Sequence, residues 1–261
     1  MFVRKQSNGD LILIGQTDHS RFVGQLGAHW GNQDFVRPEP YESVARAATF
    51  HDFGWLRYET NPLLDTNSGE PYEFRQTPFS QTQLDNYQWC IDWLSGVDAY
   101  SGLLVGMHRT GLWKGRYGKI THPGARYNPQ GIRPEIQAFI DRNESRQERE
   151  RAAVSQDNIW GNYHLLQVWD LLGLYFCCQE PYEDYIEPVP VDYSPESTGV
   201  RVTMKPLSAK EVSFEPFPFD ARGLKVQIVC KRLPKASFAD LDSFRAAYFK
   251  AEPSVLEYVL V

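Results

Sequence analysis

A chain of 261 residues, 42% hydrophobic and 23% charged, is long enough for one large domain or two modest ones with a buried core. Its formal charge of -6 and sequence pI near 5.6 exclude a general nucleic-acid binder, which needs a basic surface for phosphate contacts. Seven Trp, 14 Tyr and 15 Phe exclude disorder over most of its length. Residues 1–10 lack the apolar core and cleavage site of a signal peptide, and no window approaches the roughly 18 to 20 apolar residues of a membrane span. Cys90, Cys177, Cys178 and Cys230 form no CxxC pair, and the adjacent Cys177 and Cys178 read as small buried hydrophobes. These features predict a cytoplasmic protein.

The N-terminal "FVRKQSNGDLILIGQ" is a β-hairpin signal, with two β-prone runs flanking Asn8-Gly9. Thr17 or Asp18 then caps a predicted helix on which His19, Phe22, Val23 and Leu26 share a face. Val44, Ala47, Ala48 and His51 repeat that spacing on a second helix, followed by helices over 81–94 and 99–109. Pro134 opens another helix with a solvated polar middle, and 158–178 is a strongly apolar helix central to the core. The proline- and acid-rich 181–198 reads as a linker. Three β-type runs, "GVRVTMKPL", "EVSFEPFPF" and "LKVQIVCKRL", a short helix near Phe238 to Phe249 and a last strand "SVLEYVLV" complete the chain. Since a lone hairpin is marginal in water, the N-terminal hairpin and these strands are expected in one sheet.

Buried polar residues carry the chemistry. His19 and His51 lie on the apolar faces of successive helices, and Asp52 follows His51. A single His in that setting is usually a hydrogen-bonded core residue, but a shared cation satisfies two imidazoles and a carboxylate together. Asp170 sits mid-helix in "YHLLQVWDLLGLYF", where a carboxylate is expensive unless paired or metal-bound. Tyr163 and Gln167 fall on about the same side of that helix, and His164 is turned roughly 120° away. All three are expected around Asp170 rather than as ligands.

The order His19, His51-Asp52, Asp170 on successive helices resembles the HD-domain superfamily of metal-dependent phosphohydrolases. "DHSRFVGQLGAHWG" is similar to its first helix, and "ARAATFHDFGW" to its "aaLLHDiGk" signature, with Trp55 where the family usually has a basic residue. "LLQVWDLLGL" is similar to the late helix that supplies the last Asp. The resemblance covers roughly 17–180 and extends to a bacterial group of unknown function. It implies that His19, His51, Asp52 and Asp170 hold one divalent transition metal such as Mn, Fe or Zn. In relatives with further histidines, a second metal is bridged by the Asp of the pair. His108 and His122 stand where such ligands would, with Asp52, His108 and Arg109 as the implied catalytic groups.

From Ala99 to Pro134 there is no Asp or Glu, while Arg109, Lys114, Arg116, Lys119, Arg126 and Arg133 all fall there. Basic side chains in an acidic protein focus anionic ligands, and Arg grips phosphate oxygens in a bidentate fork. Glycines at 111, 115, 118 and 124 predict a long loop of the kind used as a lid. "GKITHPG" is not a P-loop, and neither a GxSxG elbow nor a dinucleotide fingerprint is present.

The fold expected is mainly α, an HD-like helical bundle with a small β-rich C-terminal region pairing with the N-terminal hairpin. Its expected divisions are 1–16 hairpin, 17–180 helical domain, 181–198 linker and 199–261 C-terminal α+β region. The function expected is hydrolysis of a phosphorylated small molecule or nucleotide by a metal-activated water, with no membrane or nucleic-acid partner. The alternatives are a di-iron HD-type oxygenase of a small polar substrate, and a module that binds ligands or partners without catalysis.

Overall fold

The computed structural model describes residues 1–115, 132–194, 197–234 and 237–261. It is a mixed α/β fold, about 48% helical and 21% strand, and this corrects the expectation of a mainly α bundle. The helices are α1 (Gln16–Ala28), α2 (Tyr41–Phe50), α3 (Leu56–Glu59), α4 (Gln81–Val97), α5 (Ala99–Trp113), α6 (Pro134–Arg151), α7 (Gln156–Cys178) and α8 (Leu241–Lys250). The strands are β1 (Phe2–Lys5), β2 (Leu11–Ile14), β3 (Leu64–Asp65), β4 (Glu70–Pro71), β5 (Asp184–Val189), β6 (Val200–Pro206), β7 (Glu211–Glu215), β8 (Leu224–Leu233) and β9 (Pro253–Leu260).

The strands from both ends of the chain build one seven-stranded sheet, ordered β1-β2-β8-β9-β7-β6-β5. Neighbours run antiparallel except β7 and β9, which are parallel. The sheet is large because β5 lies inside the stretch expected to be linker. Pro188 is tolerated there because β5 is an edge strand, whose outer side needs no N–H donor.

At the β2 end both faces of the sheet are covered, which explains why all four residues of β2 are buried. Ile12 and Ile14 enter the main core with α1 and α7, while Leu11 and Leu13 face a smaller cluster with Phe244 of α8. β8 shows the alternation of a half-buried strand, with Val226, Ile228 and Cys230 inward. Where β2 stops pairing with β8, the Gln25 side chain of α1 takes both backbone groups of Gln227, at 2.8 and 3.0 Å. Helix α1 is thereby stitched to the sheet.

Helix α7 runs through the core, with Trp169 and Phe176 fully buried. Close approach of α1 and α2 depends on Gly24, since a Cβ there would fall 2.2 Å from Thr49 Oγ1 and 2.9 Å from Thr49 Cα. No helix among the described residues is long and apolar enough to cross a membrane.

Candidate functional site

Helices α1, α2, α5 and α7 deliver their polar residues to one point. His19 and Ser20 come from α1, and His51 and Asp52 from the C-terminal end of α2. His108 and Arg109 come from α5, and Asp170 from the middle of α7. All are buried. His19 Nε2 lies 2.9 Å from Asp170 Oδ1, and His51 Nε2 lies 3.5 Å from the same oxygen and 3.7 Å from Asp52 Oδ2. The His51 ring stands nearly perpendicular to both neighbours, its centroid 5.3 Å from that of His19 and 4.9 Å from that of His108.

The orientation of His51 follows from the end of α2. Its Nδ1 donates to Ala48 O at 2.8 Å, which turns Nε2 toward the carboxylates. Ser20 donates to Thr49 O at 2.8 Å and accepts from the Asp52 backbone N–H at 3.2 Å, fixing the turn that carries the pair. Gly54 closes the motif because a Cβ there would lie 2.7 Å from Tyr87 Cδ1 and 3.1 Å from Tyr87 Cα. Tyr87 in turn supports Arg109, whose guanidinium carbon is 3.9 Å from the ring centroid, and Arg109 donates to Asp52 Oδ1. The short glycine is thus the first link of a chain ending on the Asp52 carboxylate.

Electrostatically, two carboxylates face one guanidinium and three imidazoles. Burial opposes ionisation of Asp52, but His51 and Arg109 outweigh it and hold the carboxyl below its usual range. Burial opposes ionisation of Asp170 too, and bonds from His19 and His51 bring it well below that range. Against its own burial, His51 is raised by the charges of Asp52 and Asp170. His108 goes the other way: burial, then His51, pushes it down to about 3, so its ring is neutral. Both His108 nitrogens and His51 Nε2 lack a hydrogen-bond partner of good geometry, as does His19 Nδ1.

These residues fit a metal. His19, His51 and Asp52, and likewise His51, His108 and Asp170, place one donor atom each within 4.8 Å of one another. Donor atoms held by one ion at about 2.1 Å stand roughly 3.0 to 3.4 Å apart, close to the separations from His19 and His51 to Asp170. Imidazole and carboxylate together suit Mn, Fe or Zn. Beside the cluster opens a cavity of about 760 Å³ whose lining includes Asp52, His108, Arg109 and Asp170, together with Trp55, which is buried against Tyr58 and Tyr87.

The family model described as a protein of unknown function (DUF3891) matches residues 1–235. The chain belongs to this family. Neither a curated protein nor a solved structure matches it. The match takes in every residue of the cluster, together with the hairpin and six of the seven strands of the main sheet.

Within this family member the structure gathers His19, His51, Asp52, His108, Arg109 and Asp170, but not every expected site residue. Lys114 is bound by Glu144 at 2.8 Å and is absent from the cavity wall. Tyr163, His164 and Gln167 line a separate cleft with Trp160 and Pro188, nearer the N-terminal end of α7. His122, Arg116, Lys119 and Arg126, and with them the expected lid, lie outside the described residues. Sequence reasoning missed Arg75, which lines the cavity from the turn before α4, and Gln16 at the start of α1. It also missed Glu59, which caps α1 in place of Thr17 or Asp18. Its carboxylate accepts from the Gln16 and Thr17 backbone N–H groups and, at 2.5 Å, from Thr17 Oγ1. The signal for Glu59 is faint: an acid at the end of the one-turn helix Leu56–Glu59, 42 residues from the helix it caps.

Proposed function

We propose that this chain is a metal-dependent phosphohydrolase of the HD type, with His19, His51, Asp52 and Asp170 as ligands and His108 as a further donor. The reading rests chiefly on the convergence of His19 and His51 on Asp170 Oδ1, with both buried nitrogens of His108 left without hydrogen bonds. Once bound, a divalent transition ion would supply Lewis acidity and a coordinated water of lowered pKa.

The other roles belong to the chain. Arg109, clamped between Tyr87 and Asp52, presents a desolvated positive charge at the cavity wall, suited to holding phosphoryl oxygens. Arg75 and Arg133 also line the cavity, stacked on Phe74 and Phe79 at 5.1 and 5.0 Å, with Arg75 paired to Glu73. Asp52 spends Oδ1 on Arg109, leaving Oδ2 toward His51. That division favours a single ion, with Arg109 standing where a bridged second metal would otherwise compensate the carboxylate, and it weighs against the di-iron alternative.

Elemental analysis of the purified full chain, followed by turnover of a phosphoester panel, tests the reading. A single transition ion per chain is expected, lost in Asp170→Ala and in His51→Ala together with hydrolysis. Undiminished metal in either variant would overturn the ligand set. Metal retention with no turnover of any phosphoester would point instead to the binding module.

A further inference from the structure

The same helix that carries Asp170 also carries an apolar stripe leading away from it. Leu171, Leu174, Tyr175 and Cys178 follow at helical spacing, and all line the cavity. From Asp170 to Cys178 this stripe runs roughly 12 Å at 1.5 Å per residue. Ile186 of β5 and Met204 of β6, both buried, complete the wall from the sheet. Cys178 adds no charge, because burial pushes its thiol up to about 11.

We propose that the substrate is an amphiphilic anion, whose phosphoryl head lies at the histidine-aspartate cluster and whose apolar body lies along the α7 stripe against β5 and β6. This rests on the phosphohydrolase reading and narrows its substrate class. A cavity of about 760 Å³ falls within the usual size range for a medium-sized organic ligand. The guanidinium of Arg109, already oriented by the Tyr87 ring, matches the head. Six uncharged side chains, those of Leu171, Leu174, Tyr175, Cys178, Ile186 and Met204, match an alkyl or aryl body, while Gln179, Tyr182 and Asp184 make the far end of the cavity polar. Ile186 and Met204 are then specificity-determining residues, which gives the C-terminal sheet a part in the site.

Calorimetric titration of the Mn-loaded full chain with methyl-, butyl-, hexyl- and octylphosphonate tests this without requiring turnover. Affinity should rise roughly fourfold per methylene and level off once the chain fills the stripe. Leu174→Phe, one turn beyond Asp170, should move that levelling to shorter chains. Flat affinity across the series in metal-loaded protein, or tighter binding of a nucleoside monophosphate than of octylphosphonate, would overturn the inference and leave the metal reading standing. Length dependence that is unchanged after chelation with EDTA would keep the apolar groove and overturn the metal reading alone.

Discussion

Gly173 stands one turn after Asp170, and a methyl group there would lie 2.4 Å from His19 Cε1 and 2.6 Å from Val23 Cγ2. Neither is the end of a flexible chain, so Gly173→Ala must push α1 away or turn the His19 ring off Asp170. Overpacking of this kind destabilises by about 1 to 3 kcal/mol. Urea denaturation should show that loss, and calorimetry should show at least tenfold weaker metal binding; unchanged values for both would mean that His19 is not held as described. The Arg109–Asp52 pair makes a sharper test, because both side chains are buried. Arg109→Met leaves Asp52 as an uncompensated interior charge, a loss of about 3 to 5 kcal/mol. A bound cation would relieve part of it, so thermal melts should show a larger deficit in EDTA than with Mn. Equal deficits in both conditions would place the metal elsewhere.

At the scale of elements, the helices owe their positions to end groups as much as to apolar faces. Helix α5, which carries His108 and Arg109, starts at Asp98. This carboxylate accepts from Tyr100 N at 3.0 Å and Ser101 Oγ at 2.7 Å, and pairs with Arg46 of α2. Although burial works against ionisation, the hydrogen bonds from Ser43, Ser101 and the α5 backbone outweigh it and lower the Asp98 pKa. A carboxyl depressed on folding stabilises fully above its unfolded value, near 3.8, and that contribution is lost as pH falls through the lower folded value. Asp98→Asn should therefore flatten the dependence of stability on pH below about 4, seen as a smaller shift of the urea midpoint between pH 5 and pH 3; an identical shift in both proteins would remove Asp98 from the account. Such caps were only partly legible in sequence. The helices themselves were, because their apolar residues recur every three or four positions. Glu59 was not, because its partnership with α1 exists only after α3 folds beneath it. The cluster residues stood out for a related reason: His19, His51 and Asp170 are polar groups on faces that periodicity marks as interior. Arg75 and Gln16 sit in turns and helix starts, where a polar residue carries no such contrast.

At the scale of the molecule, sequence reasoning joined the hairpin to the C-terminal strands but missed β5 and the strand order, since order depends on pairings between distant segments. β9, the last strand, sits fourth in the order, between β8 and β7. It pairs with β8 over eight positions, from Leu224–Leu260 to Lys231–Pro253, and with β7 through Glu211–Val259 and Val212–Leu260. Removing 252–261 would leave β1-β2-β8 and β7-β6-β5 as two fragments, each with a bare central edge. It would also bare Val226, Ile228 and Phe214, which are fully or almost fully buried. The consequence reaches the site, because β5 and β6 supply Ile186 and Met204 to the cavity, and α1, which carries His19, is bound to β8 through Gln25. The truncated chain keeps every proposed ligand yet should lose the cooperative thermal transition seen by circular dichroism, and with it metal binding. A truncated protein that melts cooperatively and still binds a single ion would show that the helices assemble the cluster without the sheet.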